Sequence, residues 1–381
     1  MIILSIRKNK YYDISHLLKD YPECLYYVVF GERSNGKTYS ALKYCLERYF
    51  KHGEQFAYIR RFGEDVKKKN LQTLFSAHIE NRLLTEYTGG GFNSIEYSGN
   101  KFTPVNWTSG PKGADIKELA KEPIGYAFDL NAMEHHKSTS YPKVTTIVFD
   151  EFLSRQGYLT NEFVLFMNTL STIIRDRNNV KIFMIGNTVN KFCPYFIEMG
   201  LTHVKEQKPG TCDVYSYADT GLSVCVEYCD PMSKRGGKSS DMYFAFDNPQ
   251  LKMITSGSWE IAVYPHLDHK YRPKDVVYKF FVIFDGTKLQ CNVICDDTGL
   301  YMFVHPKTGE IKYPDEDFIF SNKPDQRWNW LTSFDDPSPL TARVKQLIEH
   351  NRVFYSDNET GEVLRNFIIW SRQYTSVKGG K

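Results

Sequence analysis

Apolar positions along the 381-residue chain change rhythm twice, and each change marks a boundary. In the first part, Leu25 to Phe30, Phe56 to Ile59, Val144 to Phe149 and Val180 to Ile185 are short, nearly unbroken apolar runs, the pattern of strands buried on both faces. Helical spacing lies between them. Tyr39, Leu42, Cys45 and Leu46 share one face after the first run, and Phe163, Phe166, Leu170 and Ile174 form a stripe along 161–174. Strands alternating with helices predict an α/β domain. Tyr11 to Tyr21 reads as a short helix closed by Pro22. Val66, Leu71, Leu74, Phe75, Ile79 and Leu83 read as one long amphipathic helix, ended by Gly89 to Gly91. Ile95 to Val105 reads as a hairpin around Ser98-Gly99-Asn100.

From Lys208 the periodicity weakens, and the polar stretch Ser233 to Ser240 reads as part of a linker or lid. Beyond it the period becomes two. Val276 to Phe284, Leu289 to Ile294 and Leu300 to Val304 predict three consecutive antiparallel strands, the first two joined by Asp285-Gly286-Thr287. Phe318 to Phe320 gives a fourth strand, and 340–348 and 362–370 look helical. The expected plan is therefore an α/β P-loop NTPase domain over 1–207, a linker or lid over 208–250, and a smaller α+β domain of ribonuclease-H-like order over 251–381.

The P-loop assignment rests on Gly31, Glu32, Arg33, Ser34, Asn35, Gly36, Lys37 and Thr38, which spell G-x-x-x-x-G-K-T between the first strand and the first long helix. Glycines let the backbone bend until its N–H groups face phosphate oxygens, and the following helix adds the positive end of its dipole. Lys37 would reach the outer phosphates and Thr38 would ligate Mg²⁺. A second feature supports the first: the apolar strand Val144 to Phe149 delivers Asp150 and Glu151 at its C-terminal end. Asp150 suits the metal, and Glu151, pointing elsewhere, suits a base that deprotonates water. Asn187, after the next strand, suits either a γ-phosphate contact or a helix cap. Lys67, Lys68 and Lys69 are a solvated face or a track for a phosphate backbone. Asn190-Lys191-Phe192-Cys193 lacks the aspartate of a guanine-reading N-K-x-D, so nothing selects GTP.

Composition narrows the classes. Lys plus Arg exceeds Asp plus Glu by three, so bulk charge does not mark a nucleic-acid binder and any such surface is local. Eight scattered cysteines read as reduced thiols in a cytosolic compartment. Cys225 with Cys229, and Cys291 with Cys295, repeat a C-x-x-x-C spacing that zinc could use, but both fall in strand-like runs. No apolar run approaches membrane-spanning length, and Met1 to Ile6 is too short for a signal core.

Several stretches together resemble a known family. Gly31 to Thr38 with its internal Arg33, Gly53 to Arg61, Tyr141 to Phe152 (YPKVTTIVFDEF) and Pro194-Tyr195-Phe196 are similar to the genome-packaging ATPases of the Picovirinae, small protein-primed tailed phages. The resemblance covers most of the first two hundred residues. It implies an additional-strand, catalytic-glutamate P-loop ATPase that binds ATP and Mg²⁺ and assembles as a homo-oligomeric ring, a pentamer, on the prohead portal. There it would pump double-stranded DNA inward with the help of a packaging RNA. By position it makes Lys37 and Thr38 the phosphate and Mg²⁺ ligands, Asp150 the metal carboxylate and Glu151 the base. Arg175 becomes an arginine finger for the neighbouring subunit, with Arg177 competing for that role, and Lys137 a residue coupling subunits. Gly63 stands where the family carries a basic residue, so no role passes to it. The C-terminal domain would resemble the terminase nuclease with its activity lost: Asp285, and Asp296 with Asp297, precede glycine turns and read as turn residues rather than metal ligands. Competing functions are a terminase-like motor that still cuts DNA, a P-loop helicase or DNA pump, and a nucleotide-binding assembly scaffold. Plasmid nicking would reveal the first, strand displacement the second, and a dispensable Glu151 the third.

Overall fold

Strand β1 (Tyr26–Gly31) lies in the interior of a ten-stranded sheet, with parallel neighbours on both sides. In the computed structural model, which describes residues 11–109, 115–131, 139–155, 157–231, 259, 262–335 and 338–378, the chain forms two compact units. The first comprises Met1–Ser154 and Asn161–Trp259, the second Arg155–Thr160 and Glu260–Lys381.

In the first unit the further strands are β2 (Gln55–Arg60), β3 (Ser94–Ser98), β4 (Lys101–Ser109), β5 (Asp115–Leu119), β6 (Gly125–Asp129), β7 (Val144–Asp150), β8 (Lys181–Asn187), β9 (Thr211–Tyr217) and β10 (Leu222–Tyr228). Their order is β3-β4-β6-β2-β7-β8-β1-β10-β9, with β5 on β4. Strands β6, β2, β7, β8, β1 and β10 are mutually parallel, which places the ends of β1, β7 and β8 on one edge, where ligands of open α/β sheets bind. β8 lies between β1 and β7, so the strand carrying Lys37's loop and the strand ending in Asp150 are separated by one additional strand.

The nine helices among the described residues are α1 (Ser15–Asp20), α2 (Lys37–His52), α3 (Lys68–Leu71), α4 (Ser76–Glu80), α5 (Leu83–Thr88), α6 (Glu162–Ile174), α7 (Pro194–Glu198), α8 (Pro339–Glu349) and α9 (Asn358–Lys378). α2 buries Leu42, Cys45 and Leu46, as its spacing predicts, together with Ala41, while Tyr39 on the expected face is only half-buried. The Gly99-Asn100 turn joins β3 to β4 with both residues at positive φ, a two-residue hairpin of the expected kind.

Two expectations change. The pattern from Val66 to Leu83 is not one helix but three short ones, which follow extended Lys67 and are broken at 72–75 and again around left-handed Arg82. Val66, Leu71 and Phe75 are buried as predicted, but Asn70, Thr73, Ser76 and Asn81 are weak helix formers and offer little to carry a helix across the breaks. Residues 208–250 do not begin as a linker: β9 and β10 form an antiparallel pair, and β10 completes the sheet beside β1. The weak periodicity has a cause, because β10 is buried at Val224 to Tyr228 while edge strand β9 alternates between half-buried and exposed. The Ser233 to Ser240 stretch lies outside the described residues.

In the second unit, β11 (Val276–Phe284), β12 (Thr287–Asp296) and β13 (Gly299–Pro306) form the predicted antiparallel meander. β14 (Ile319–Ser321) and β15 (Trp330–Leu331) add in parallel beside β11, and β16 (Val353–Tyr355) beside β13, giving the order β15-β14-β11-β12-β13-β16. Phe280, Phe320, Phe334 and Phe367 form its aromatic core, with edge-to-face rings 5.4–6.5 Å apart and one closer tilted pair. Ser338 and Thr341 make a reciprocal cap for α8, with Pro339 in its first turn.

The C-x-x-x-C spacing does not build a zinc site. Residues four apart on a strand stand about 13 Å apart, too far to share an ion. Cys291 is buried and Cys295 exposed, and Cys225 instead sits 2.9 Å (Sγ to Sγ) from Cys212 on β9.

Candidate phosphate-loop and hydrolysis site

Between β1 and α2 the chain reverses through Ser34 at φ 59° and Gly36 at φ 96°. A Cβ on Gly36 would lie 3.2 Å from Tyr11 Cβ, so the left-handed turn and the close approach both require glycine. Lys37 is buried, and its ammonium donates to Glu32 O (2.6 Å), Asn35 Oδ1 (3.2 Å), Gly31 O (3.4 Å) and Asn187 Oδ1 (3.4 Å). Arg33 and Ser34 are exposed on the outside of the loop, and Asn35 is buried with its Nδ2 lacking a partner. A ligand oxygen could satisfy this buried amide donor.

At the end of β7, Asp150 accepts from Thr38 Oγ1 at 3.1 and 3.2 Å and from Tyr58 OH at 2.8 Å. Burial raises the Tyr58 phenol, and the Asp150 charge raises it further, so it remains a donor. Glu151 follows at φ 57°, a left-handed geometry rare for a residue with a side chain and typical of functional turns. Its Oε2 accepts from Arg60 at 2.6 Å. Burial works against the charge on Arg60, but Tyr58 and the carboxylates of Glu151 and Asp150 outweigh it and hold the guanidinium protonated. Together Ser34 to Tyr39, Asp150, Glu151 and Ile185 to Asn187 line a cavity of about 280 Å³. Lys37, Thr38, Asp150, Glu151 and Asn187, separated by up to 150 positions, are thus brought together as the sequence predicts.

Other assigned residues lie elsewhere. Arg175, just past α6, is exposed, with its Nη2 donating to Thr139 O at 3.0 Å. Arg177 is tied to four carbonyls, those of Ile173, Ile174, Pro142 and Val144, and so closes the end of α6 against the start of β7. The sequence leaves the two arginines in competition; the structure gives Arg177 a structural role and leaves Arg175 at the surface. Lys67 pairs with Glu64, and Lys69 approaches the same carboxylate at 3.9 Å; all three lysines of the run are exposed. Lys137 lies outside the described residues.

Sequence reasoning assigned no chemistry to the residues that hold this site. Arg61 is buried; it donates to Glu151 O (3.1 Å), Phe152 O (2.6 Å) and Glu162 Oε2 (2.8 Å), while Glu162 also accepts from Tyr195 OH (2.8 Å). The only signal was two arginines ending an apolar strand. A second cluster anchors the segment before α1: Tyr12 N–H donates to Asn35 O (2.9 Å), and Glu227 accepts from Tyr12 OH (2.5 Å) and pairs with His16 Nε2 (2.9 Å). The bond to Glu227 pushes the His16 imidazole up to about 9, against the opposing effect of burial. A histidine raised on folding stabilises fully below its unfolded value near 6.5, and that contribution is lost as pH rises through about 9. Ring resonances of His16 should therefore titrate near 9, and should return toward the ordinary range in Glu227→Gln; an unshifted midpoint in the parent protein would contradict the clasp.

Comparison with known proteins agrees with this geometry. The profile of the Podovirus DNA encapsidation protein (Gp16) matches residues 6–87 and 115–219, taking in the phosphate loop, Asp150 with Glu151, both arginines and Asn187. The chain belongs to the Gp16 family. This Gp16-family chain is 34% identical to the DNA packaging protein of Bacillus phage B103 over 178 residues, 45% of the chain and 47% of that protein. It is 29% identical to the DNA packaging protein of Bacillus phage PZA over 285 residues, 74% of the chain and 75% of the relative. For the DNA packaging protein of Bacillus phage phi29 the figures are 29% over 197 residues, 51% of each. The chain thus spans about half the length of two of these relatives. Solved structures share the fold over nearly the whole length: the Phi-28 gp11 DNA packaging motor (TM-score 0.52, 20% identity, 95% of this chain and 98% of that one) and the bacteriophage Phi-29 viral genome packaging motor assembly (0.53, 19%, 97% and 99%). Residues 88–114, which the family profile does not match, contain the β3–β4 hairpin.

Proposed function

We propose that the protein is a packaging-motor ATPase, coupling hydrolysis of ATP to movement of double-stranded phage DNA into a prohead. The observation that carries this reading is the single cavity lined by Lys37, Thr38, Asp150, Glu151 and Asn187, in a chain of the Gp16 family. The donor set fits the nucleotide and its metal. Asn35 offers an unpartnered buried amide to phosphate oxygen, and Thr38 and Asp150 present hard oxygens to Mg²⁺. Among the described residues no group of three or more His, Cys, Asp or Glu is placed to hold an ion. Mg²⁺ supplies charge neutralisation at the phosphates when bound. Lys37 and the loop amides bind phosphate oxygens, Glu151 accepts the proton of the attacking water, and Asn187 orients that water. Arg175 serves the pocket of the next subunit in a homo-oligomeric ring, for which a pentamer is our reading. The portal of the prohead and a packaging RNA are the expected partners, and Lys137 couples neighbouring subunits in the same scheme.

We read the second unit as ribonuclease-H-like, because β13-β12-β11-β14-β15 has the meander followed by two parallel strands of that order. Its carboxylates are engaged in turns: Asp285 accepts from Asn322 Nδ2 (2.6 Å), and Asp296 from Thr298 and Tyr301. This supports a unit without nuclease activity.

ATP turnover should rise on adding duplex DNA and proheads together, and plasmid DNA should stay uncut. Turnover indifferent to both would count against the motor. If Lys67, Lys68 and Lys69 line the DNA path, replacing all three by Ala should flatten the log–log salt dependence of DNA binding by about 1 to 3 units. An unchanged slope returns them to a solvated face.

A further inference from the structure

Tyr39 directly follows Thr38 and, like it, lines the phosphate-loop cavity. Its side chain is held from behind by α4. His78 of that helix is 1% exposed and lies flat on Tyr39, with ring centroids 4.1 Å apart and planes 9° from parallel. Its Nε2 donates to Tyr39 O (2.9 Å), and the Tyr39 hydroxyl accepts from Asn81 Nδ2 (3.0 Å), just past the end of α4. Ring, carbonyl and hydroxyl of one residue are thus all gripped by one short helix. That helix is itself anchored, because Phe75, 5.5 Å from the His78 ring, packs edge-to-face on Phe56 of β2 and Phe102 of β4.

We propose that His78 is a positioning residue for the hydrolysis pocket, fixing Tyr39 as the pocket's wall and the first turn of α2 so that Thr38 faces Asp150. The inference rests on the ATPase reading above and adds to it a residue outside the cavity lining. Three observations carry it. Phenylalanine at this place would stack without bonding the carbonyl, and glutamine would bond without stacking, whereas imidazole does both. The second observation is an exception: His78 Nδ1 is buried without a partner. An apolar side chain would avoid that penalty, which argues against His78 as mere core filling. Third, burial lowers the His78 imidazole, the bond to Tyr39 O opposes this, and the Lys43 charge lowers it further, so the ring stays neutral. A neutral ring has one N–H, and here it is directed at Tyr39 O. The carbonyl so held belongs to the residue after Thr38, whose Oγ1 lies 3.1 and 3.2 Å from the Asp150 oxygens, so a shift of that turn is felt at this contact.

The test is steady-state hydrolysis of ATP with Mg²⁺, with kcat and KM read separately and turnover referred to the folded fraction seen by circular dichroism. His78→Leu fills the buried place without a flat face or a donor, and should lower kcat about tenfold while KM stays within about twofold. His78→Phe restores the flat face and should recover to within about threefold of the parent. Tyr39→Ala, at a half-buried position, should lower kcat by about the same factor as His78→Leu. In the Tyr39→Ala background the further loss on adding His78→Leu should shrink to about threefold or less, because the ring it supports is gone. Parental kcat in His78→Leu or in Tyr39→Ala, or a His78→Leu loss undiminished beside Tyr39→Ala, would overturn the positioning role and leave the ATPase reading standing. If the parent does not hydrolyse ATP, the ATPase reading falls, and the positioning role with it.

Discussion

Mixing two inactive variants, Lys37→Ala and Arg175→Ala, should restore part of the ATP hydrolysis that neither shows alone. An arginine finger is worth about 10³ to 10⁵ in turnover, or about 4 to 7 kcal/mol of barrier, so each variant should be nearly dead. Arg175 is exposed past the end of α6, with a main-chain carbonyl as the partner of its guanidinium. In mixed rings some interfaces join an intact Lys37 pocket to an intact Arg175, and only those recover. Arg177→Ala is the control. Its four carbonyl bonds close α6 onto β7, so its loss should lower the melting temperature rather than create a complementing partner for Lys37→Ala. Absence of recovery at every ratio, in rings shown to contain both proteins, would assign Arg175 to its own subunit or to no catalytic role.

Glu151→Gln should bind ATP within about twofold of the parent and lose about 10² to 10⁴ in turnover, the usual weight of a positioned base. Glutamine keeps the size and a carbonyl oxygen for Arg60, so the loop at φ 57° and the bond that spans from β2 are retained. Only the capacity to take a proton goes. Lys37→Ala, by contrast, should lose binding as well as turnover. Parental turnover in the glutamine variant would move the base elsewhere and favour a scaffold or another acid.

Most of the phosphate site was legible because its residues sit where strands end, and strand ends are the best-marked points in an α/β sequence. The apolar run Val144 to Phe149 stops at Asp150, and Leu25 to Phe30 stops at the glycine loop; neither depends on distant partners. What was not legible depends on such partners. Arg60 and Arg61 look like any basic pair until β2 is set beside β7, and Glu162 looks like a helix-start acid until Arg61 and Tyr195 close on it. His16 and Glu227 are 211 positions apart, joined only because β10 lies next to β1. The same non-locality hid β6, β9 and β10, whose pairing in the sheet is decided by neighbours and not by their own alternation.

Arg61 also makes the site a transmission. Its guanidinium is bolted to the loop after Asp150 at one end and to Glu162, the first residue of α6, at the other. A thirteen-residue helix is a stiff rod about 20 Å long, and Arg175 stands at its far tip. The loop bearing Glu151 and the position of Arg175 are thus linked through one guanidinium and one helix.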